Sequence, residues 1–170
     1  MAKERVLVDT CIIIEAFRIN CWKALCNRYD VETVEKCIEE ACTGDSLDAG
    51  RVVIDREELI KGLAKRHTVS SIELARLVLE NEGLPGIDDG EKHLLAWMHA
   101  NRPLPITVLL STSDKAALRA SHVLDLLNRV KSLEELAKAA GVDKRQLAKL
   151  ENHFLERWLS GVRVELRPLL

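Results

Sequence analysis

Aromatic side chains are scarce, at 4% of the 170 residues. Surfaces that stack unpaired bases are built from such rings, so this scarcity argues against a base-stacking platform. A basic excess is missing too: 25 Lys and Arg stand against 27 Asp and Glu, for a net charge of -2. Proteins that coat nucleic acid without selection are basic, so any such partner has to be held by a local patch. Unbroken apolar runs extend only a few residues, far short of the ~20 that span a bilayer. Charges at Lys3, Glu4, Arg5 and Asp9 interrupt the opening stretch. They predict that it is no signal peptide, that the chain has no membrane partner and that it is cytoplasmic.

Several catalytic signatures are also lacking. No Gly-x-Gly-x-x-Gly follows a strand and no Walker-type loop ends in Lys-Ser or Lys-Thr, so a nucleotide cofactor has no cradle. Cys11 stands two residues after Asp9, where an aspartyl-phosphate phosphatase needs a second acid, and no Gly-x-Ser-x-Gly elbow exists. Five cysteines (Cys11, Cys21, Cys26, Cys37 and Cys42) crowd the first quarter of the chain. Their odd count and the missing export signal argue against disulfides. Four residues separate Cys21 from Cys26 and Cys37 from Cys42, with no turn glycine inside either pair. Reduced cysteines packed as small hydrophobes fit this better than a zinc site.

What remains is ordinary globular composition, 47% apolar and 31% charged, in a chain long enough for one domain with a sizeable core. No internal repeat, low-complexity tract or flexible linker interrupts it. Val6-Leu7-Val8 reads as a buried parallel strand closed by Asp9. Thr10 then caps a helix running toward Leu25. A helix over 33–43 has Thr33 as its cap and Gly44 as its stop. Residues 51–54 read as a strand. Asp55 with Glu58, and Ser70 with Glu73, form capping boxes for helices reaching about 66 and Gly83. Asp88 or Asp89 caps a helix to about Ala100, with Leu94, Leu95 and Met98 inward. Ile106 to Leu110 is a strand, and Thr112-Ser113-Asp114 opens a helix carrying Ala117, Leu118 and Leu124. Ser132 with Glu135 and Asp143 with Gln146 start two more helices. The last carries Leu147, Leu150, Phe154, Leu155 and Trp158 and stops at Gly161, and 162–166 alternates like an edge strand. Strands alternating with helices predict an α/β fold, three layers deep (α/β/α), around a central, mostly parallel sheet, with a C-terminal helical hairpin.

Two strands end alike. Val8-Asp9-Thr10 and Ser111-Thr112-Ser113-Asp114 each place an acid at a strand's C-terminal end, beside hydroxyl residues, where a helix begins. Strand C-termini of an open parallel sheet line its ligand crevice, so acids from distant parts of the chain converge there. Helical Glu39 and Glu40, and Asp88, Asp89 and Glu91, offer more carboxylates. Clustered carboxylates either hold protons or are neutralised by a cation, and hard oxygen donors select Mg²⁺ or Mn²⁺. Taken singly, each acid is better read as a helix cap, but Asp9 and Asp114 together resist that reading because both sit at the same edge of the predicted sheet.

The ordered segments VLVDTCIIIEAF, CIEEA, GIDDGEKHLLAW and TVLLSTSDKAALRAS resemble a PIN domain over roughly residues 5–128. The resemblance implies a nuclease domain over 1–130, an extension over 131–170 and a metal-dependent endoribonuclease cutting RNA. It carries the first acid onto Asp9, the second onto Glu40 with Glu39 its competitor, the third onto Glu91 or Asp88, and the fourth onto Asp114. Thr112 and Ser113 would orient ligands around the ion. Cys37 stands where a larger aliphatic is usual. The toxin of a toxin–antitoxin pair has a core of this kind, so the resemblance implies an antitoxin partner; a homodimer is expected only if the C-terminal helical hairpin forms a dimer contact rather than covering a sheet edge.

Lys115 and Arg119 flank the fourth acid and are placed to hold phosphates. Lys61 and Lys65, with Arg66 and His67, form a second basic cluster, read as a solvated helix face. His93 is expected to be exposed, and Trp97, Phe154 and Trp158 to pack against core or partner. Residues 132–160 carry a loose helix-turn-helix spacing whose recognition helix would begin at Lys144-Arg145-Gln146. The alternatives are therefore a non-catalytic PIN-like scaffold, or a DNA-binding regulator using that segment.

Overall fold

A computed structural model describes residues 2–43 and 52–167. The chain is α/β, with a four-stranded, all-parallel sheet. Strand β1 (Arg5–Val8) is followed by helices α1 (Thr10–Arg18) and α2 (Trp22–Arg28), then β2 (Asp30–Val34) and α3 (Glu35–Cys42). Next come α4 (Arg56–Gly62), β3 (Lys65–His67), α5 (Ser71–Glu80) and α6 (Asp89–Ala100). Then β4 (Leu109–Ser111) leads to α7 (Lys115–Val123), α8 (Leu133–Ala139), α9 (Lys144–Leu147) and α10 (Glu156–Leu166).

The sheet order is β3-β2-β1-β4, with Val6 opposite Val31 on one side and Leu109 on the other. Val6, Leu7 and Val8 are almost wholly inaccessible, as a central strand covered on both faces requires. The segment beyond residue 130 joins the same core through Leu133, Leu136, Leu150, Phe154, Leu159 and Val162. Among the described residues no helix is long and apolar enough to cross a membrane.

Several sequence expectations are corrected. The first helix does not reach Leu25. Asn20 takes φ +58°, Asn20 N donates to Phe17 O at 3.0 Å and Cys21 N to Ala16 O at 2.8 Å. This left-handed Schellman stop, which Asn tolerates, separates α1 from α2. Thr33 caps no helix. It lies in β2, a strand the periodicity did not reveal, and its Oγ1 donates to Val8 O at 2.6 Å. Residues 52–54 pair with nothing, and Val53 is 79% exposed; Arg51 and Gly44 lie outside the described residues.

The α4 helix stops at Gly62, because Ala64 N already donates to Val31 O at 2.8 Å to start β3. Lys65 and Arg66 are therefore strand residues, not helical partners of Lys61. Helix α5 ends at Glu80 rather than Gly83. Strand β4 is shorter than expected: a turn closed by Val108 N on Pro105 O at 3.0 Å leaves Ile106 85% exposed. At the far end Gly161 sits inside α10, and 162–166 is helical rather than an edge strand. The apolar stripe from Leu147 to Trp158 is broken by a 3-10 turn at Asn152–Phe154. Capping signals that use only local atoms hold: Asp55, Ser70, Ser132 and Asp143 each accept from a backbone N–H of the first turn.

Candidate metal centre

The chain leaves β1 toward β2 and β3 on one side, while β4 lies on the other. Outside the C-terminal ends of β1 and β4 the connections diverge, which is where open parallel sheets leave a crevice. Asp9 N donates to Ser111 O at 3.3 Å and ties the two strand ends together. Asp9 caps α1, with Oδ1 accepting from Ile12 N at 3.0 Å. Asp114 caps α7, with Oδ1 accepting from Ala117 N at 2.8 Å. One oxygen of each carboxylate is thus used locally.

The other oxygens separate capping from function. Asp9 is fully buried and Glu91, in the first turn of α6, is 9% exposed. Asp9 Oδ2 and Glu91 Oε2 are both sealed from solvent without a hydrogen-bond partner. Two other acids in the described residues are as deeply buried, and both are neutralised. Glu32 accepts from Arg5 at 2.7 and 2.9 Å and lies 2.7 Å from His67 Nε2, while Glu15 accepts from Arg18 Nε at 2.7 Å. Among the described residues no Lys or Arg pairs with Asp9, Glu40, Glu91 or Asp114. A buried carboxylate without a cation is costly, and two side by side more so.

The electrostatics agree. Burial raises the Asp9 carboxyl. Cys11, the nearby Thr112 hydroxyl and Ile12 N–H partly offset this, and Asp114 adds to it. Glu91 is pushed up to about 8 by burial first, then by the charges of Asp9, Asp114, Asp88 and Glu40. Four of the acids the sequence singled out therefore act on Glu91.

Glu40 reaches this point from α3, and Glu39 does not. Glu40 Oε2 accepts from Thr10 Oγ1 at 2.8 Å, and Oε1 accepts from Gly90 N at 3.1 Å. The Glu39 side chain is 60% exposed and faces Lys36. Gly90 is what admits Glu40: a Cβ there would sit 2.9 Å from Thr10 Oγ1 and closer still to Glu40 Oε2. Asp88 is exposed at the N-cap of α6, where its side chain caps nothing. Thr112 and Ser113 are buried behind the acids. Thr112 Oγ1 accepts from Asp114 N at 3.3 Å, and Ser113 Oγ lies 3.1 Å from Cys11 Sγ.

Cys11, Thr10 and Gly90 are the members that the sequence reading missed as site residues. Cys11 Sγ donates to Asp9 Oδ1 at 3.0 Å. Burial first, then Asp9, push the Cys11 thiol well above its usual range. One donor atom each from Asp9, Cys11 and Glu91 lies within 4.8 Å of the other two. Of the expected phosphate binders, Lys115 and Arg119 are exposed on α7, and Lys115 reaches Glu165 at 3.1 Å. His93 is half-buried rather than exposed, while Trp97 and Phe154 are buried in the core. Orphaned, buried carboxylate oxygens suit a divalent cation, and among the described residues Asp9, Glu91 and Cys11 are the group whose donor atoms lie close enough together to share one.

No protein-family model, no curated protein and no solved structure matches this chain.

Proposed function

We propose that the chain is a metal-dependent endoribonuclease of the PIN type, with residues 1–130 as the nuclease domain and 131–170 as an extension packed on it. In this reading Asp9, Glu40, Glu91 and Asp114 hold one or two Mg²⁺ or Mn²⁺ ions, with Asp88 assisting. The observation that carries it is the unneutralised pair Asp9 and Glu91, in a chain that supplies arginines to its other buried acids.

A divalent ion there supplies an activated water and neutralises charge on a phosphodiester. The protein's own part is positioning. Ile12 N–H and the Cys11 thiol fix Asp9, Thr10 and Gly90 fix Glu40, and Ala117 N–H fixes Asp114. Groups locked this way keep their oxygens aimed into the crevice without reorganisation during reaction. Lys115 and Arg119, at the mouth of the crevice, hold flanking phosphates of the RNA. The exposed Lys115–Glu165 pair is weak enough to exchange for a phosphate. A toxin role with an antitoxin partner follows from the resemblance alone, and a homodimer from reading the C-terminal helices as a dimer contact.

A DNA-reading segment gains no support. Its recognition helix α9 is a single turn, and Gln146 Nε2 is occupied by Ile19 O and Asn20 O at 3.2 and 2.9 Å. The test is Asp9→Asn. RNA cleavage that depends on Mg²⁺ or Mn²⁺ is expected to vanish while the circular-dichroism spectrum stays native. Cleavage at the wild-type rate by the purified variant overturns the assignment.

A further inference from the structure

We propose that Cys11 gives the centre a second coordination mode, in which a thiophilic divalent cation such as Zn²⁺ or Co²⁺ binds the Cys11 sulfur together with the Asp9 and Glu91 carboxylates. This rests on the metal-centre reading above and adds a sulfur ligand to it.

Three independent observations meet here. The sulfur is already in the cluster, 3.0 Å from Asp9 Oδ1, and its distance to the chosen Asp9 and Glu91 oxygens is under 4.8 Å. Zn–S and Zn–O bonds of about 2.3 and 2.0–2.2 Å let one ion bridge such a set after small side-chain movements. Secondly, Asp9 Oδ2 and Glu91 Oε2 are buried and unpartnered, so two hard donors are waiting beside the soft one. Thirdly, Cys11 also borders an outer groove of about 240 Å³, between α1 and the Asn152–Phe154 turn, shared with Ile14, Arg18 and His153.

The chemistry separates the two modes. Mg²⁺ prefers oxygen, so with it Cys11 stays a thiol and keeps donating to Asp9. A thiophilic cation replaces the proton: the S–H bond breaks, an S–metal bond forms and the proton leaves to water, with no change of oxidation state. By the ordinary affinity order such a cation outcompetes Mg²⁺ or Mn²⁺ at the same carboxylates. A thiophilic ion would then sit in the centre in an arrangement different from the one that Mg²⁺ or Mn²⁺ takes.

Co²⁺ is the probe, titrated into the full chain, into Cys11→Ser and into Asp9→Asn, with thermal melts confirming folding of each. Expected is a near-ultraviolet sulfur-to-cobalt charge-transfer band that saturates with Co²⁺ binding in the wild type. In Cys11→Ser the band is lost and Co²⁺ binding weakens roughly tenfold or more, as metal-site substitutions do, while Mn²⁺ still binds. Co²⁺ binding that depends on Asp9 but shows no sulfur band, or a band that survives Cys11→Ser, overturns the inference and leaves the acidic centre standing. Loss of no Co²⁺ or Mn²⁺ binding in Asp9→Asn overturns both.

Discussion

Removing the charge of Glu91 is expected to stabilise the metal-free protein and to abolish its response to metal. The Glu91 carboxyl has an ordinary value of 4.5 and is pushed to about 8 in the fold, by burial and by Asp9, Asp114, Asp88 and Glu40. A raised carboxyl means that the folded state holds the proton more tightly than the unfolded chain. Its stabilising contribution is therefore complete below about 4.5, declines as pH rises, and is lost above about 8. At about 1.4 kcal/mol per tenfold change in proton affinity, that interval corresponds to roughly 5 kcal/mol at most. The part of Glu91 that stays exposed and its coupling to the neighbouring acids reduce this, leaving about 1–3 kcal/mol. For a chain of this size that is a melting shift of about 2–10 °C.

The assay is thermal melting in a chelator across pH 5 to 8.5. Wild type should lose stability as pH rises. Glu91→Gln should lose less and melt higher than wild type at pH 8. Mn²⁺ should then raise the wild-type midpoint at pH 8 and leave Glu91→Gln nearly unmoved, because an ion that binds only the folded state stabilises by mass action. A flat metal-free profile in wild type, or an equal Mn²⁺ shift in both proteins, would refute the reasoning.

Three further outcomes follow from the same geometry. Gly90→Ala should weaken Mn²⁺ binding about tenfold and cost about 1–3 kcal/mol, because its Cβ collides with Thr10 Oγ1 and Glu40; calorimetric titration and melting check this. Glu40→Gln should lose Mn²⁺ affinity by a similar factor in the same titration, while Glu39→Gln, which alters an exposed side chain, should not change it. Burial alone would raise the Glu32 carboxyl, but His67 and Arg5 outweigh it and hold it at about 2. Its stabilisation is therefore present above about 4.5 and lost as pH falls toward 2, and Glu32→Gln should cost about 3–5 kcal/mol at pH 7 with Mn²⁺ binding retained. Urea titrations at pH 7 and pH 3 measure it, and a variant as stable as wild type at pH 7 would count against the buried network.

The legible parts of this protein were local. The apolar run Val6-Leu7-Val8 declared a central strand because a strand covered on both faces has no polar side to show. The box Ser70 with Glu73, and Asp114 before α7, are satisfied by atoms within one helical turn, so spacing alone reveals them. Asp9 and Asp114 were visible as candidates for the same reason: each follows an apolar strand and opens a helix. Strand β2 stayed hidden because Asp30 and Glu32 interrupt its apolar character, and only Arg5 and His67, from its neighbours, make Glu32 tolerable inside. Likewise the end of α1 at Asn20 depends on a left-handed residue that Asn allows but does not require.

The sequence by itself determined an α/β chain with a parallel sheet and a short set of acids at strand and helix ends, because periodicity and capping are decided by neighbours a few residues apart. Tertiary structure alone decided which acids meet. It chose Glu40 over Glu39 through Thr10 and Gly90, and it brought a Glu91 oxygen within 4.8 Å of donor atoms of Asp9 and Cys11. It also gave Glu32 its arginine from the neighbouring strand while leaving Asp9 and Glu91 with none. Glu32 is neutralised by groups 27 and 35 residues away, and no local pattern records that distance.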